Sequence, residues 1–306
     1  AATADTVVTS SLVGLEIGPP EAYGNLTLYP VLSRQEEKTA EWTTLPLSLA
    51  SGTLEVNETG APFEIRVINR GTLPVLLIEG EILVGGSFAR MVAEDFLVPR
   101  NEPTLVRVYC VEPGSLRKEE TFAVESGHYF GPYGLRKVAL EGGGQGAAWA
   151  HLARQIEWTG GKARSQAEVY RQFSAQLYSY RTHFSDLPDR YPDAVGLVVC
   201  TGETVEAVEL FATRGLFVAY FERLLNSAAL EALLRARDQN RPSAPRFPNS
   251  LTGVRQSLEL AFFAEGKDGL LQRQDRMIGR ALVTPDRLVH LLLFTGLGSE
   301  ESDWRV

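Results

Sequence analysis

The sequence is poor in the residues that carry metal and redox chemistry: two cysteines, two methionines and four histidines in 306 residues. Cys110 and Cys200 sit in no C-x-x-C, which excludes the usual zinc-ribbon and dithiol motifs. They read as buried thiols or as partners of one disulfide, and burial is the ordinary fate of such cysteines. Lysine and arginine are nowhere bunched, and the net charge is −8, so a nucleic-acid or anionic-membrane partner is disfavoured. No apolar run approaches the ~20 residues that cross a bilayer as a helix. No H-x-x-x-H, G-x-S-x-G, P-loop or dinucleotide glycine fingerprint is present, so no catalytic motif announces itself and no cofactor is expected. The chain also begins without Met, as AATADTVVTSS. Small residues of this kind follow a signal-peptidase cut, which predicts a secreted or periplasmic protein. A trimmed chain start in a cytoplasmic protein is the alternative.

What is present is hydrophobic patterning of two kinds. Up to about residue 125 the apolar runs are short, β-branched and punctuated by Gly, Pro and Asn: 25–32, 63–69, 74–80, 95–99 and 104–112. In FEIRVIN, Phe63, Ile65 and Val67 alternate with Glu64 and Arg66, the mark of a half-buried antiparallel strand. Strands at this spacing, with no helical pattern between them, predict a β-sandwich-like domain over 1–125. Residues 126–145 read as a Gly/aromatic-rich connection. A domain over 146–306 follows, with helices expected over 146–157, 165–184 and about 214–236 and a Pro/Arg/Ser loop at 237–250. Ser165 and Glu168 form a capping box, and Val169, Phe173, Leu177, Tyr180 and Phe184 make one helical stripe.

The second half also repeats itself. GLVVCTGETVEAVELF (196–211) and GRALVTPDRLVHLLLF (279–294) align without gaps, matching at Gly196/Gly279, Thr201/Thr284, Leu210/Leu293 and Phe211/Phe294. Each reads as strand, tight turn, strand. Two such hairpins in a sheet backed by the helices predict an α+β second domain, and α+β as the class of the whole chain.

Candidate functional residues gather in the stretch LIEGEILVGG (77–86). Read as one strand, it puts Glu79 and Glu81 on the same face with Gly80 between them, which predicts a wet face or a site. Such a pair can share a proton, hold a cation or bind a ribose hydroxyl, although the spaced oxygen ligands of a calcium loop are missing. Gly85 and Gly86, followed by Ser87-Phe88-Ala89-Arg90, suit a backbone nest for an anion such as pyrophosphate, or a plain hairpin turn. Cys110 shares its strand face with Val106 and Val108. That is the position of a core thiol rather than of a nucleophile using His128 as its base. His151 and His183 fall on helices and His290 in a hairpin. Gln145 and Trp149 suit a stacking platform, or a helix start packed on a sheet.

Together these pieces resemble the domain family associated with ADP-ribosylglycohydrolases and with the rhodanese-phosphatase superfamily. The resemblance rests on Asn69-Arg70-Gly71, the apolar run 74–77, the G-E-x-L-V-G-G segment 80–86, Leu97-Val98-Pro99, Cys110-Val111-Glu112, Gln145 with Trp149, and the hairpin 196–211, over roughly 10–295. The family's K-Q-N-R is Ser87-Phe88-Ala89-Arg90 here, and its G-R-W is Gly114-Ser115-Leu116, so Arg90 alone survives from those polar sets. The resemblance implies company with ADP-ribose and NAD metabolism but no established reaction.

The expected function is therefore a non-enzymatic binding or interaction protein for a nucleotide-like small molecule, with Glu79, Glu81, Gly85, Gly86, Arg90, Glu112, Gln145 and Trp149 as its ligand-binding set and no metal. One alternative is a self-assembling extracytoplasmic subunit. In it, residues 1–16 add as a strand to a neighbouring copy and make a homo-oligomer. An enzyme acting on a nucleotide-like substrate is the other.

Overall fold

The computed structural model describes residues 4–34, 41–113, 122–123, 129–202, 204–238, 270–272 and 277–295. His128, residues 114–116 and residues 239–250 of the expected Pro/Arg/Ser loop lie outside them. The class is α+β, with several largely antiparallel sheets and eight α-helices among the described residues. Two compact units share the chain. One is built from 1–35, 189–212 and 232–306, the other from 36–188 and 213–231. Residues 126–145, expected to join two domains, fall inside the second unit.

The first unit is organised by an eight-stranded antiparallel sheet. Its path runs Leu15–Ile17, Leu26–Ser33, Ala194–Thr201, Thr204–Phe211, Leu288–Thr295, Met277–Val283, Leu270–Gln272, with Glu21–Tyr23 also paired to Leu26–Ser33. Both expected hairpins are here, side by side. The residues matched in sequence turn out to be matched in register. Gly196 pairs with Leu210 and Gly279 with Leu293, and each ladder slips once, after Val199 in one hairpin and after the corresponding Leu282 in the other. The glycines have the same cause. A Cβ on Gly196 would stand 2.2 Å from the Glu209 carbonyl oxygen, and one on Gly279 2.4 Å from that of Leu292. No side chain fits at so close an approach.

Two expectations are corrected in this unit. The run at 25–32 does not join a first-half sandwich, because Leu26–Ser33 pairs with Ala194–Thr201, Leu28 opposite Val199. Residues 1–16 are not a strand awaiting another subunit. Ala4–Leu12 is a helix, and only Leu15–Ile17 is extended, paired to Leu26–Ser33 of the same chain. The spacing of Val7, Val8 and Leu12 is helical, and all three are buried, Val8 and Leu12 in one apolar cluster with Leu15, Tyr29, Val198, Val208, Leu291 and Leu293. That burial offsets the cost of ordering the segment without a second copy.

The second unit holds two sheets. Six antiparallel strands run in the order Phe122–Ala123, Ile82–Gly85, Arg90–Val92, Pro103–Cys110, Glu64–Asn69, Leu54–Glu58. A smaller sheet orders Phe96–Val98, Val75–Leu77 and Thr43–Thr44, the last pair parallel. Their inner faces meet in a core of Leu54, Val56, Ile65, Val67, Val75, Leu77, Leu83, Val92, Val98, Val106 and Val108. This is the sandwich-like region read from the alternation, although Phe63, expected inside, is 49% exposed at the strand's mouth.

The helices expected to back the hairpin sheet belong largely to this second unit. The capping box forms as read: Ser165 Oγ accepts the Glu168 N–H, and Glu168 reaches back to the Arg164 N–H at 2.7 Å. The helix it opens is interrupted at Phe173, giving Gln166–Gln172 and Ser174–Phe184, and the whole expected stripe is buried. The first part of helix Arg214–Asp238 is tied to this unit by polar contacts. Tyr220 Oη donates to the Leu76 carbonyl at 2.9 Å, and Ser227 Oγ to that of Gly131 at 2.7 Å.

Candidate functional site

Glu79 and Glu81 are not exposed residues on one strand face. They are 3% and 2% exposed. The stretch 77–86 is not one strand but two, Val75–Leu77 and Ile82–Gly85, joined by a tight turn over 78–81. Gly80 has φ +93°, the left-handed value that the third residue of a type II turn requires, and Glu81 N–H closes the turn on the Ile78 carbonyl. The Glu81 carboxylate folds back to accept the Ile78 N–H at 2.8 Å. Glu79 Oε1 accepts from Arg136 Nε at 2.6 Å, and that guanidinium is fully buried over the rings of Phe130 and Tyr133.

Glycine permits this packing. A Cβ on Gly80 would meet Phe130 and Arg136 at 2.6–2.7 Å. The same interior holds Glu231, which accepts the Gly134 N–H at 2.8 Å, and Tyr170, which donates to the Phe130 carbonyl. Burial pushes the Tyr170 hydroxyl well above its ordinary range, and the Glu231 charge adds to it. Tyr220 is raised likewise, by burial first and then by Glu81. Every ionised group here is enclosed and engaged, so this cluster lies in the interior rather than on the wet strand face expected from the alternation.

The rest of the expected set does come together, at the other end of the same hairpin. Ile82–Gly85 and Arg90–Val92 are joined by Gly86-Ser87-Phe88-Ala89, and Gly85 and Gly86 both have positive φ (+113° and +60°). The turn hands its amides to two carboxylates. Ser87 N–H donates to Glu58 Oε1 and Ser87 Oγ to Glu58 Oε2, each at 2.7 Å, while Ala89 N–H donates to Glu112 Oε2 at 3.0 Å.

Behind the turn stands Arg90, opposite Cys110 in the ladder and 3% exposed. Its Nη2 lies 3.8 Å from Glu58 Oε1, and its guanidinium lies 5.0 Å from the centre of the Phe88 ring. Nε and Nη1 are shut from solvent and have no hydrogen-bond acceptor among the described residues. Glu58 was not among the residues singled out from sequence. It closes an ordinary strand, and nothing in LEVNE marks its last carboxylate as the partner of a turn 29 residues on.

Gln145 and Trp149 are at this end too, but they grip backbone. Gln145 Oε1 accepts the Cys110 N–H at 2.7 Å, its Nε2 donates to the Cys110 carbonyl at 2.8 Å, and Trp149 Nε1 donates to the same carbonyl at 3.0 Å. The side-chain amide thus takes up the hydrogen bonds of Cys110 beyond the end of the neighbouring strand Glu64–Asn69, which gives Gln145 a structural reason to accompany Cys110-Val111-Glu112. The Cys110 thiol points to the Glu112 carbonyl at 3.5 Å.

Both cysteines are free and buried. Burial, with the Glu206 charge behind it, pushes the Cys200 thiol up to about 12. His290 and Glu209 are in contact at 3.1 Å, but both are fully buried. No group of three His, Cys, Asp or Glu side chains is placed to hold a metal ion among the described residues. No helix is long and apolar enough to cross a membrane among them either.

No curated protein and no solved structure matches this chain. A family model does, over residues 14–294, and it spans both units, both hairpins and the Arg90 turn. The chain therefore belongs to the ARG and rhodanese-phosphatase-superfamily-associated protein domain family.

Proposed function

We propose that this chain is a non-enzymatic binding protein for an anionic, nucleotide-like ligand, with Arg90 as the group that receives the anion. One observation carries the reading: Arg90 is buried, yet two of its three guanidinium nitrogens lack an acceptor among the described residues. An enclosed guanidinium short of acceptors is costly, and a phosphate supplies several charged oxygens in a geometry that matches its fork. The neighbouring glycine turn offers backbone amides of the kind that hold phosphates elsewhere. The family's association with ADP-ribosylglycohydrolases makes ADP-ribose and NAD the first ligands to try. A binding role suits the site better than catalysis. The described residues place no accessible histidine or thiol beside Arg90: Cys110 is enclosed, and His151 and His290 are interior.

The test is a thermal-shift titration. A ligand selective for the native state at 100 times its dissociation constant adds about 2.7 kcal/mol of stability. ADP-ribose or NAD should raise the melting temperature, and Arg90→Ala should abolish the shift. An unchanged melting temperature at millimolar concentrations of both ligands discards the reading.

A further inference from the structure

We infer that Glu58 is a built-in competitor for the Arg90 site: its carboxylate sits where the ligand's anionic group binds, and binding displaces it. The inference rests on the anion-binding reading above and adds how the site is kept closed.

The contacts of Glu58 are those of a bound anion. One oxygen takes a backbone N–H and the other a hydroxyl, both from Ser87, and the guanidinium of Arg90 stands 3.8 Å away. A phosphate oxygen pair in that place would meet the same N–H, the same hydroxyl and the same cation. Glu58 fills the seat incompletely, because Arg90 Nε and Nη1 still lack acceptors among the described residues. A phosphate carries more oxygens than a carboxylate and can reach them.

The arrangement also allows exchange. The Glu58 side chain is 30% exposed and that of Arg90 only 4%, so the carboxylate lies on the solvent side of the cation. Glu58 is the last residue of its strand, where a side chain can swing outward without breaking the ladder. Glu112, the other carboxylate on the turn, is 2% exposed and holds the Ala89 N–H, so it stays in place during the exchange. Displacing Glu58 spares the incoming anion one carboxylate charge, whereas seating it beside both Glu58 and Glu112 would crowd three anionic groups around one cation.

The experiment measures inorganic pyrophosphate binding by isothermal titration calorimetry to the wild type, Glu58→Ala, Glu58→Gln and the double variant Glu58→Ala/Arg90→Ala. The Ser87 amide is followed by NMR in each. Removing the competitor should tighten binding at least tenfold in Glu58→Ala, and the double variant should lose it. Glu58→Gln keeps an acceptor for Ser87 but no charge, so its gain should be smaller, and it serves if Glu58→Ala folds poorly. Pyrophosphate should shift the Ser87 amide in the wild type, as expected when one acceptor replaces another. Equal or weaker binding by both Glu58 variants, with the wild type binding, overturns the competitor and leaves the anion site standing. Absence of binding in all the folded variants overturns both.

Discussion

Glu79→Ala should be among the most damaging single changes in this protein. It strips the carboxylate from a fully buried guanidinium while leaving that cation enclosed between Phe130 and Tyr133. Two charges in a dry interior are costly to desolvate, and their attraction compensates only while both are present. Removing one partner of such a pair costs about 3–5 kcal/mol. For a unit of this size each kcal/mol moves the midpoint by about 2–4 °C, so the melting temperature should fall by about 6–20 °C. Glu79→Ala/Arg136→Met should recover much of that loss. Methionine fills the volume of the arginine stem against the two rings and removes the buried cation that lost its partner. The recovery stays incomplete, because the cation–π contacts contribute about 0.5–2 kcal/mol and disappear as well. Urea unfolding followed by circular dichroism, on the wild type, both single variants and the double, gives the coupling energy directly. A Glu79→Ala loss below about 1 kcal/mol, or a double variant no better than the sum of the singles, would show that the pair is not a desolvated unit.

Two further outcomes follow from geometry and burial. Gly196→Ala and Gly279→Ala should destabilise to a similar extent, roughly 1–3 kcal/mol or more, because each methyl group would collide with a cross-strand carbonyl at the same place in its hairpin; a near-neutral result at either site on thermal melting would contradict the shared register. The Cys200 thiol, pushed up to about 12, should resist Ellman's reagent at pH 8 in the native protein and react once guanidinium unfolds the chain. Its native value lies above the unfolded one, so the stability from burying the neutral thiol is complete below about pH 8.5 and is lost as pH rises toward 12. Tyr170 and Tyr220, both raised by burial, act in the same direction from about pH 10 upward. The melting temperature should therefore fall steadily on the alkaline side, and Cys200→Ala should flatten the first part of that fall.

Local signals in this sequence proved legible where the physics is local. The capping box at Ser165 and Glu168, the buried stripe of Val169, Phe173, Leu177, Tyr180 and Phe184, and both hairpins need only neighbours along the chain. The repeat carried more than resemblance, since its conserved glycines are the two points where cross-strand backbone leaves no room. What the sequence hid were decisions made by distant partners. Alternation alone makes Glu79 and Glu81 look wet, because the neutralising Arg136 comes 57 residues later and the turn at Gly80 breaks the period. The same holds at the Arg90 turn. Gly85, Gly86 and Arg90 were visible as a candidate anion site, but Glu58 and the clamp of Gln145 on Cys110 depend on strand order, which composition does not encode. The N-terminal helix was misread for a related reason. Val13, Leu15 and Ile17 alternate as a strand does, and that alternation was extended backward over Val7, Val8 and Leu12, whose spacing is helical.

The way the eight-stranded sheet is threaded sets an order of events while the chain is being made. Beyond its local partners Leu15–Ile17 and Glu21–Tyr23, Leu26–Ser33 joins the rest of the sheet through Ala194–Thr201, and Thr204–Phe211 meets its outer neighbour in Leu288–Thr295. A ribosome adding about 5–20 residues per second leaves the first of these strands waiting on the order of ten seconds or more. During that wait the apolar faces of Ala4–Leu12 and Leu26–Ser33 lack most of the sheet that covers them, while residues 36–188 already carry the described strands of the second unit and await only 213–231. An apolar segment of the first unit is thus left uncovered while the second unit is being made, and the yield in a cell should depend on whatever shields that segment until the final hairpin emerges.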